Sequence, residues 1–194
     1  MSKKVMIRDV AIGDGNPIAI QSMSNADSRD EKKITEQIRE LEEVGCDIIR
    51  LAVPDRESLD VFRNIRAKTD IPLVADIHFD YRLAVGSIEA GADKIRINPG
   101  NIGTLENVKK VVDAAGLRKI PIRVGVNSGS LEKDILVKNH GVTAEGLAES
   151  ALRNIKVIEG FDYDNIVVSM KSSDVRMTFE AHKIAAARTE HPFH

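Results

Sequence analysis

Hydrophobic residues along the chain recur at two spacings, and the switch between them marks the elements. Alternating apolar and polar positions indicate strands, whose side chains point to opposite faces in turn. Apolar positions three and four apart indicate the buried stripe of a helix. Val5–Ile12 alternates weakly and runs into the turn Gly13-Asp14-Gly15-Asn16, which predicts a short hairpin plugging one end of the fold. Ile18–Met23 reads as the first strand of the main sheet. Glu31–Val44 reads as a helix with Ile34, Ile38 and Leu41 on its apolar stripe, and Ser28 and Glu31 have capping-box spacing at its start.

From Asp47 onward strand and helix alternate. The pattern predicts strand 47–53 with helix 55–68, strand 73–78 with helix 81–90, and strand 94–98 with helix 105–115. Strand 122–127 then precedes a short helix, 131–138, and a longer one, 144–159; strand 166–171 precedes helix 174–188. The joints repeat too. Gly45-Cys46-Asp47, Gly91-Ala92-Asp93 and Gly160-Phe161-Asp162 read as one helix-to-strand turn with a left-handed glycine cap. Ile71-Pro72-Leu73 and Ile120-Pro121-Ile122 are echoed by His191-Pro192-Phe193. By that echo a seventh strand is expected to begin at the end of the sequence, as the front part of a longer protein.

Two architectures suit an alternation of strands and helices. A doubly wound sheet carries helices on both faces, so its strands are apolar on both. A barrel carries helices outside only. One parity holds Ile18 and Ile20, Ile49 and Leu51, Leu73 and Ala75, Ile95 and Ile97, Ile122 and Val124, and Ile166 and Val168. The other holds Gln21 and Arg50, Asp76 and His78, Arg96 and Asn98, Arg123 and Asn127, and Ser169 and Lys171. Helices covering the second set would bury many unpaired charges. The expected fold is therefore α/β, a TIM (β/α)8-type barrel truncated to about six strands, since a complete one runs to about 250 residues. Residues 1–194 are expected to form one partial barrel that serves as a substrate-binding domain.

Composition narrows the function classes. Aromatics make up 4% and Trp is absent, so the core must be Ile, Val, Leu and Ala. Net charge is -2, which gives no bulk reason to expect nucleic acid or a membrane surface as partner. Any anion preference must be local. No apolar run approaches the ~20 residues of a membrane span, and no signal-peptide pattern follows Met1-Ser2-Lys3-Lys4. A cytoplasmic protein is expected. Cys46 is the one cysteine and reads as a small buried residue at a strand start.

The candidate chemistry lies in the polar parity, because active sites of such barrels sit at the C-terminal strand ends. Four strands each deliver a cation there: Arg50, Arg96, Arg123 and Lys171. Asp76 is the one carboxylate of that set. Repulsion and desolvation make such a gathering costly unless a counter-anion arrives. A diphosphate fits, with Arg as a planar fork for its oxygens and Lys as a point charge. Asn98 and Asn127 are placed to orient hydroxyls or phosphate, and Asp76 and His78 share a face as proton-transfer partners. The loop Asn98-Pro99-Gly100-Asn101-Ile102-Gly103 leads to a helix N-terminus capped by Thr104, a natural anion site. The plainer reading of one inward arginine is a structural ion pair; four cations at equivalent strand ends argue for more. Lys94 shares the parity but lies deeper, in a lower layer of the barrel. Asp76 and His78 alone are too few to argue a metal. His140, His182, His191 and His194 read as surface or structural residues.

Several blocks resemble a known family. Leu73-Val74-Ala75-Asp76-Ile77-His78-Phe79-Asp80 and Lys94-Ile95-Arg96-Ile97-Asn98-Pro99-Gly100-Asn101-Ile102-Gly103 are its longest and most specific motifs. Gln21-Ser22-Met23, the block from Gly45 to Pro54, Arg123–Leu131 and Val168-Ser169-Met170-Lys171 match as well. Together they resemble the N-terminal barrel of 4-hydroxy-3-methylbut-2-enyl diphosphate synthase, the IspG or GcpE family, from about Arg8 to His194. The resemblance implies an oxidoreductase of the non-mevalonate isoprenoid pathway. It opens the ring of 2-C-methyl-D-erythritol 2,4-cyclodiphosphate by two-electron reduction with loss of water. It also implies a ferredoxin or flavodoxin electron donor and a homodimer. By motif, Arg50, Arg96, Arg123 and Lys171 would hold the diphosphate, Asn98 and Asn127 would assist, and Asp76 and His78 would line the pocket. The family's four-iron four-sulfur cluster sits on a C-terminal domain, held by three cysteines and a glutamate. A chain whose one cysteine is Cys46 is expected to bind no cluster itself, and to bind substrate at best without turnover. Two other readings compete: a dihydropteroate-synthase-like phosphate and pterin barrel, and a non-catalytic anion-binding module.

Overall fold

The computed structural model describes residues 2–194. A short antiparallel hairpin comes first, β1 (Val5–Ile7) with β2 (Val10–Ile12). The main sheet has six strands: β3 (Gln21–Met23), β4 (Ile48–Ala52), β5 (Leu73–Asp76), β6 (Lys94–Ile97), β7 (Ile122–Asn127) and β8 (Ile166–Lys171). The helices between and after them are α1 (Glu31–Glu43), α2 (Arg56–Arg66), α3 (Tyr81–Glu89), α4 (Leu105–Arg118), α5 (Lys133–Lys138), α6 (Ala144–Glu159) and α7 (Val175–Ala186).

Strand order follows chain order from β3 to β8, and every pairing is parallel. A doubly wound sheet reverses its order at a switch point. With no reversal, right-handed crossovers place the helices on one side, and the sheet curls as part of a barrel. The outer parity packs as expected: Ile49, Leu73, Ile95, Ile122 and Ile166 join Ile38, Phe62, Ile88, Val111 and Ile155 in one core. The hairpin closes the N-terminal end of the inner face, where Ile7 packs against Ile48 and Val74. At the other edge Phe193 bridges Val168 in parallel, and His194 N–H donates to Val168 O at 2.8 Å. The residues after the third proline joint thus begin to pair beside β8.

Local chemistry sets the ends of the helices. Asp55 and Ser58 close a reciprocal capping box on α2, with Ser58 N–H to Asp55 Oδ1 at 2.9 Å and Asp55 N–H to Ser58 Oγ at 3.1 Å. Thr104 caps α4, as expected. For α1 the cap is Asp30, whose Oδ1 accepts from Lys33 N–H at 3.1 Å. Ser28 lies too early to reach those donors. Gly45 and Gly91 are left-handed, at φ 85° and 98°. Gly160 is not: its φ is -63°, and Asp162 takes the left-handed place at φ 58°. There the chain winds one turn further, with Phe161 N–H to Ile158 O and Asp162 N–H to Glu159 O.

The first strand is shorter than the pattern predicts. It starts at Gln21, and Ile18 and Ile20 are 94% and 60% exposed instead of facing helices. Both lie just before the edge strand and stay open to solvent. The ladder begins where Asp47 engages Ile20, its carboxylate accepting Ile20 N–H at 2.7 Å. No described helix is long and apolar enough to cross a membrane.

Candidate functional site

Parallel pairing sets the site's geometry. Asp76 on β5 pairs in register with Arg96 on β6, and Arg96 with Arg123 on β7. Neighbouring strands lie about 4.8 Å apart, so three charged side chains share one level of the inner face. Arg50 rises from β4 beside Asp76 and Ser169 from β8 beside Arg123. Asp76 divides its carboxylate: Oδ1 accepts from Arg96 Nη1 at 3.2 Å, and Oδ2 lies 3.7 Å from Arg50 Nε. Arg50 also points Nε and Nη2 at Met23 Sδ, at 3.1 and 2.9 Å. Arg123 Nη2 donates to Ser169 Oγ at 2.7 Å.

That leaves donors over. Arg96 Nε, Arg123 Nε and Arg123 Nη1 are buried without a hydrogen-bond partner. A buried polar group left unpaired costs about 1–3 kcal/mol, more when charged. Burial, then the charges of Arg50 and Arg96, pushes Arg123 down to about 9, with Asp76 opposing. One layer below, Lys94 is fully buried, and its Nζ donates to Gln21 Oε1 at 3.0 Å. Burial, then Arg123 and Arg50, pushes Lys94 down to about 7. The inner face is thus a cup with excess positive charge and spare donors.

The cup opens at the C-terminal strand ends as a cavity of about 380 Å³. Arg50, Asp76, His78, Arg96, Arg123, Asn127 and Lys171 all line it. His78 stands on the rim past the end of β5, with a side chain 53% exposed and Nε2 3.7 Å from Asp76 Oδ2. Lys171 is exposed and makes no ion pair among the described residues. Asn98 is the sequence candidate that the cavity lining does not include. Its Oδ1 accepts Gly100 N–H at 3.1 Å, and Asn154 Oδ1 on α6 accepts the same N–H at 3.2 Å. The Gly100 N–H, which the glycine-rich sequence predicts as an anion donor, is held inside the fold. Asn154 was not legible as a partner, because its helical position carries no sign of a loop contact.

Three further residues line the cavity: Met170, Ser169 and His194. Ser169 shares the inward parity and holds Arg123, so the strand pattern already carried its signal. His194, read as surface or structural, is exposed overall but also lines the cavity. Loss of water on its inner side, then the charges of Arg123, Lys94 and Arg50, pushes its imidazole below the ordinary range.

The residues present do not fit an iron-sulfur cluster. Cys46 is the one thiol, and it sits at the N-terminal end of β4, with Sγ 3.1 Å from Ile48 O. That is the opposite end of the sheet from the cup, and such clusters are held chiefly by several thiolates. Among the described residues no group of three or more His, Cys, Asp or Glu could hold a metal ion.

Residues 2–194 match the family model described as the GcpE TIM-barrel domain. The 4-hydroxy-3-methylbut-2-en-1-yl diphosphate synthase (flavodoxin) of Caldanaerobacter subterraneus subsp. tengcongensis is 54% identical over 194 residues, which is 100% of this chain and 55% of that protein. The protein of the same description from Caldicellulosiruptor saccharolyticus is 55% identical, over 100% of this chain and 56% of its own length. The chain therefore spans about half the length of the curated relatives it matches. Among solved structures, the dihydropteroate synthase of Yersinia pestis superposes with a TM-score of 0.72 at 12% identity, over 98% of this chain and 74% of that one. The phospho-2-dehydro-3-deoxyheptonate aldolase of Thermotoga maritima gives 0.69 at 15% identity, over 99% and 54%. At such identities the likeness is one of fold.

Proposed function

Because the chain belongs to the GcpE TIM-barrel domain family, we propose that its basic cup binds the diphosphate of 2-C-methyl-D-erythritol 2,4-cyclodiphosphate. The whole protein then opens that ring reductively to 4-hydroxy-3-methylbut-2-enyl diphosphate. The observation that carries this reading is the set of buried, unpartnered guanidinium N–H groups on Arg96 and Arg123. Diphosphate oxygens supply the missing acceptors and the missing negative charge together.

The roles follow from position. Arg96 and Arg123 grip from the floor, and Lys171 and Asn127 close on the guest from the wall. Arg50 adds charge while it steadies Asp76. Asp76 keeps Arg50 and Arg96 aimed before the ligand arrives. His78, half in water and near Asp76, is placed to hold or release a proton at the rim. Asn98 assists by bracing the loop behind Arg96.

The electrons for the reduction come through residues outside this barrel. In this reading a C-terminal domain carries a four-iron four-sulfur cluster, and the remaining barrel strands complete the wall. The donor is flavodoxin, the one in the names of the relatives, and the protein works as a cytoplasmic homodimer. Isothermal titration of the intact protein with the cyclic diphosphate tests the cup. Saturable binding that weakens roughly a hundredfold in Arg123→Met, about 2.8 kcal/mol, is the expected result. Equal binding by parent and variant would overturn it.

A further inference from the structure

On β7 the inward positions are Arg123, Gly125 and Asn127, and the middle one carries no side chain. A glycine inside a strand weakens it and often marks the close approach of another group. Gly125 has no left-handed backbone that would require glycine. What requires it is space. A Cβ at Gly125 would overlap Arg96 Nε, and would lie 3.0 Å from Nη2 and 3.1 Å from Cζ. The Arg96 guanidinium thus rests on the bare backbone of β7. From there its Nη1 reaches Asp76 Oδ1 at 3.2 Å, and its Nε is left without a partner.

We propose that Gly125 is a positioning residue for diphosphate recognition: its missing side chain is the seat of the Arg96 guanidinium. The proposal rests on the reading of the cup as a diphosphate site. The three atoms nearest an added methyl group all belong to the far part of one flexible side chain, that of Arg96. Arg96 should therefore swing away while the sheet stays in place, leaving Asp76 and taking its free donor out of the cup. Ligand affinity then falls far more than stability does.

The test uses the intact protein with inorganic pyrophosphate as probe. Titration calorimetry compares the parent, Gly125→Ala, Arg96→Ala and the double variant, and thermal melts follow folding. Gly125→Ala should weaken pyrophosphate roughly tenfold, about the scale of one lost charge-assisted contact. The double variant should bind no more weakly than Arg96→Ala alone, since the methyl group acts only through that side chain. Parent-like affinity in Gly125→Ala, or losses that multiply in the double variant, would overturn the proposal. If Gly125→Ala does not fold, the double variant decides: recovered folding supports the seat, and continued failure sinks it. If the parent binds neither pyrophosphate nor the cyclic diphosphate, the reading of the cup has failed. The seat is then judged in ligand-free protein by the Arg96 Nε–H nuclear magnetic resonance signal. A signal moved by Gly125→Ala upholds the seat, and an unmoved signal refutes it.

Discussion

On the outer face of the sheet, Ile49, Leu73, Ile95, Ile122 and Ile166 meet helix residues and stay dry. On the inner face, the alternate residues of the same strands include Arg50, Asp76, Lys94, Arg96, Arg123 and Ser169. Over β4 to β8 the outer face is complete, because each apolar side chain has found another. The inner face is incomplete by design of its charge: one carboxylate stands among three guanidiniums, with a lysine beneath. Burial stabilises the first face by about 25 cal/mol per Å² of apolar surface. It destabilises the second, because charged groups lose water without gaining enough partners. One sheet thus carries its stability on one side and its readiness for an anion on the other.

The largest effect should come from breaking the dry side. Phe62 on α2 is 1% exposed in the main core. Phe62→Ala should cost about 3–5 kcal/mol of stability, read from urea unfolding. Pyrophosphate affinity of the molecules that stay folded should not change. A matching loss of affinity would show that the two faces are not separable.

The next effect has the opposite sign. Lys94 holds its proton less tightly in the fold than in the unfolded chain, because burial lowers its proton affinity from 10.5 to about 7. Between about pH 7 and 10.5 the unfolded chain therefore binds more protons, and stability rises with pH across that window. Below it the cost of the buried charge is fully present. Lys94→Met should stabilise the protein, on the order of 3–4 kcal/mol at neutral pH, given ~1.4 kcal/mol per tenfold change in proton affinity. It should also flatten the rise above pH 7. Denaturant midpoints measured from pH 6 to 10, as roughly the span over which the lysine titrates, check both claims. A parent profile flat over that range would mean the lysine keeps its charge at little cost.

Arg123→Met should give a smaller gain. Removing two unpartnered donors and one crowded charge should stabilise by roughly 1–3 kcal/mol. The same substitution that weakens cyclic diphosphate in calorimetry should thus raise the melting temperature. A variant that loses both binding and stability would place Arg123 among the structural ion pairs.

These faces differ in how much the sequence declared of them. Period-two alternation is a property of the backbone, so the sequence alone sorts the outer and inner sets of β4 to β8. That sorting also located Arg50, Asp76, Arg96, Arg123, Asn127 and Lys171 on one lining. The pattern failed where tertiary neighbours decide. Ile18 and Ile20 have the right parity, yet they precede the edge strand and stay exposed. Asn98 has the right parity, yet Gly100 turns back to occupy its oxygen. Gly125 carries no side chain to sort by parity, and its use appears only where Arg96 lies across it.

The smallest effect concerns His78, where the two faces meet water. Its side chain is 53% exposed, and its Nε2 lies 3.7 Å from Asp76 Oδ2. Nothing in the fold depends on so open a contact, so His78→Ala should move stability by no more than about 0.5 kcal/mol. Pyrophosphate affinity should also stay within about twofold, because the floor donors are untouched. Turnover is a separate matter. If the imidazole moves a proton on the rim, the complete enzyme should lose kcat while KM for the cyclic diphosphate holds, since the lost interaction exists only in the transition state. A rise in KM with unchanged kcat would instead make His78 a binding residue, and the division between a gripping floor and a reacting rim would fall.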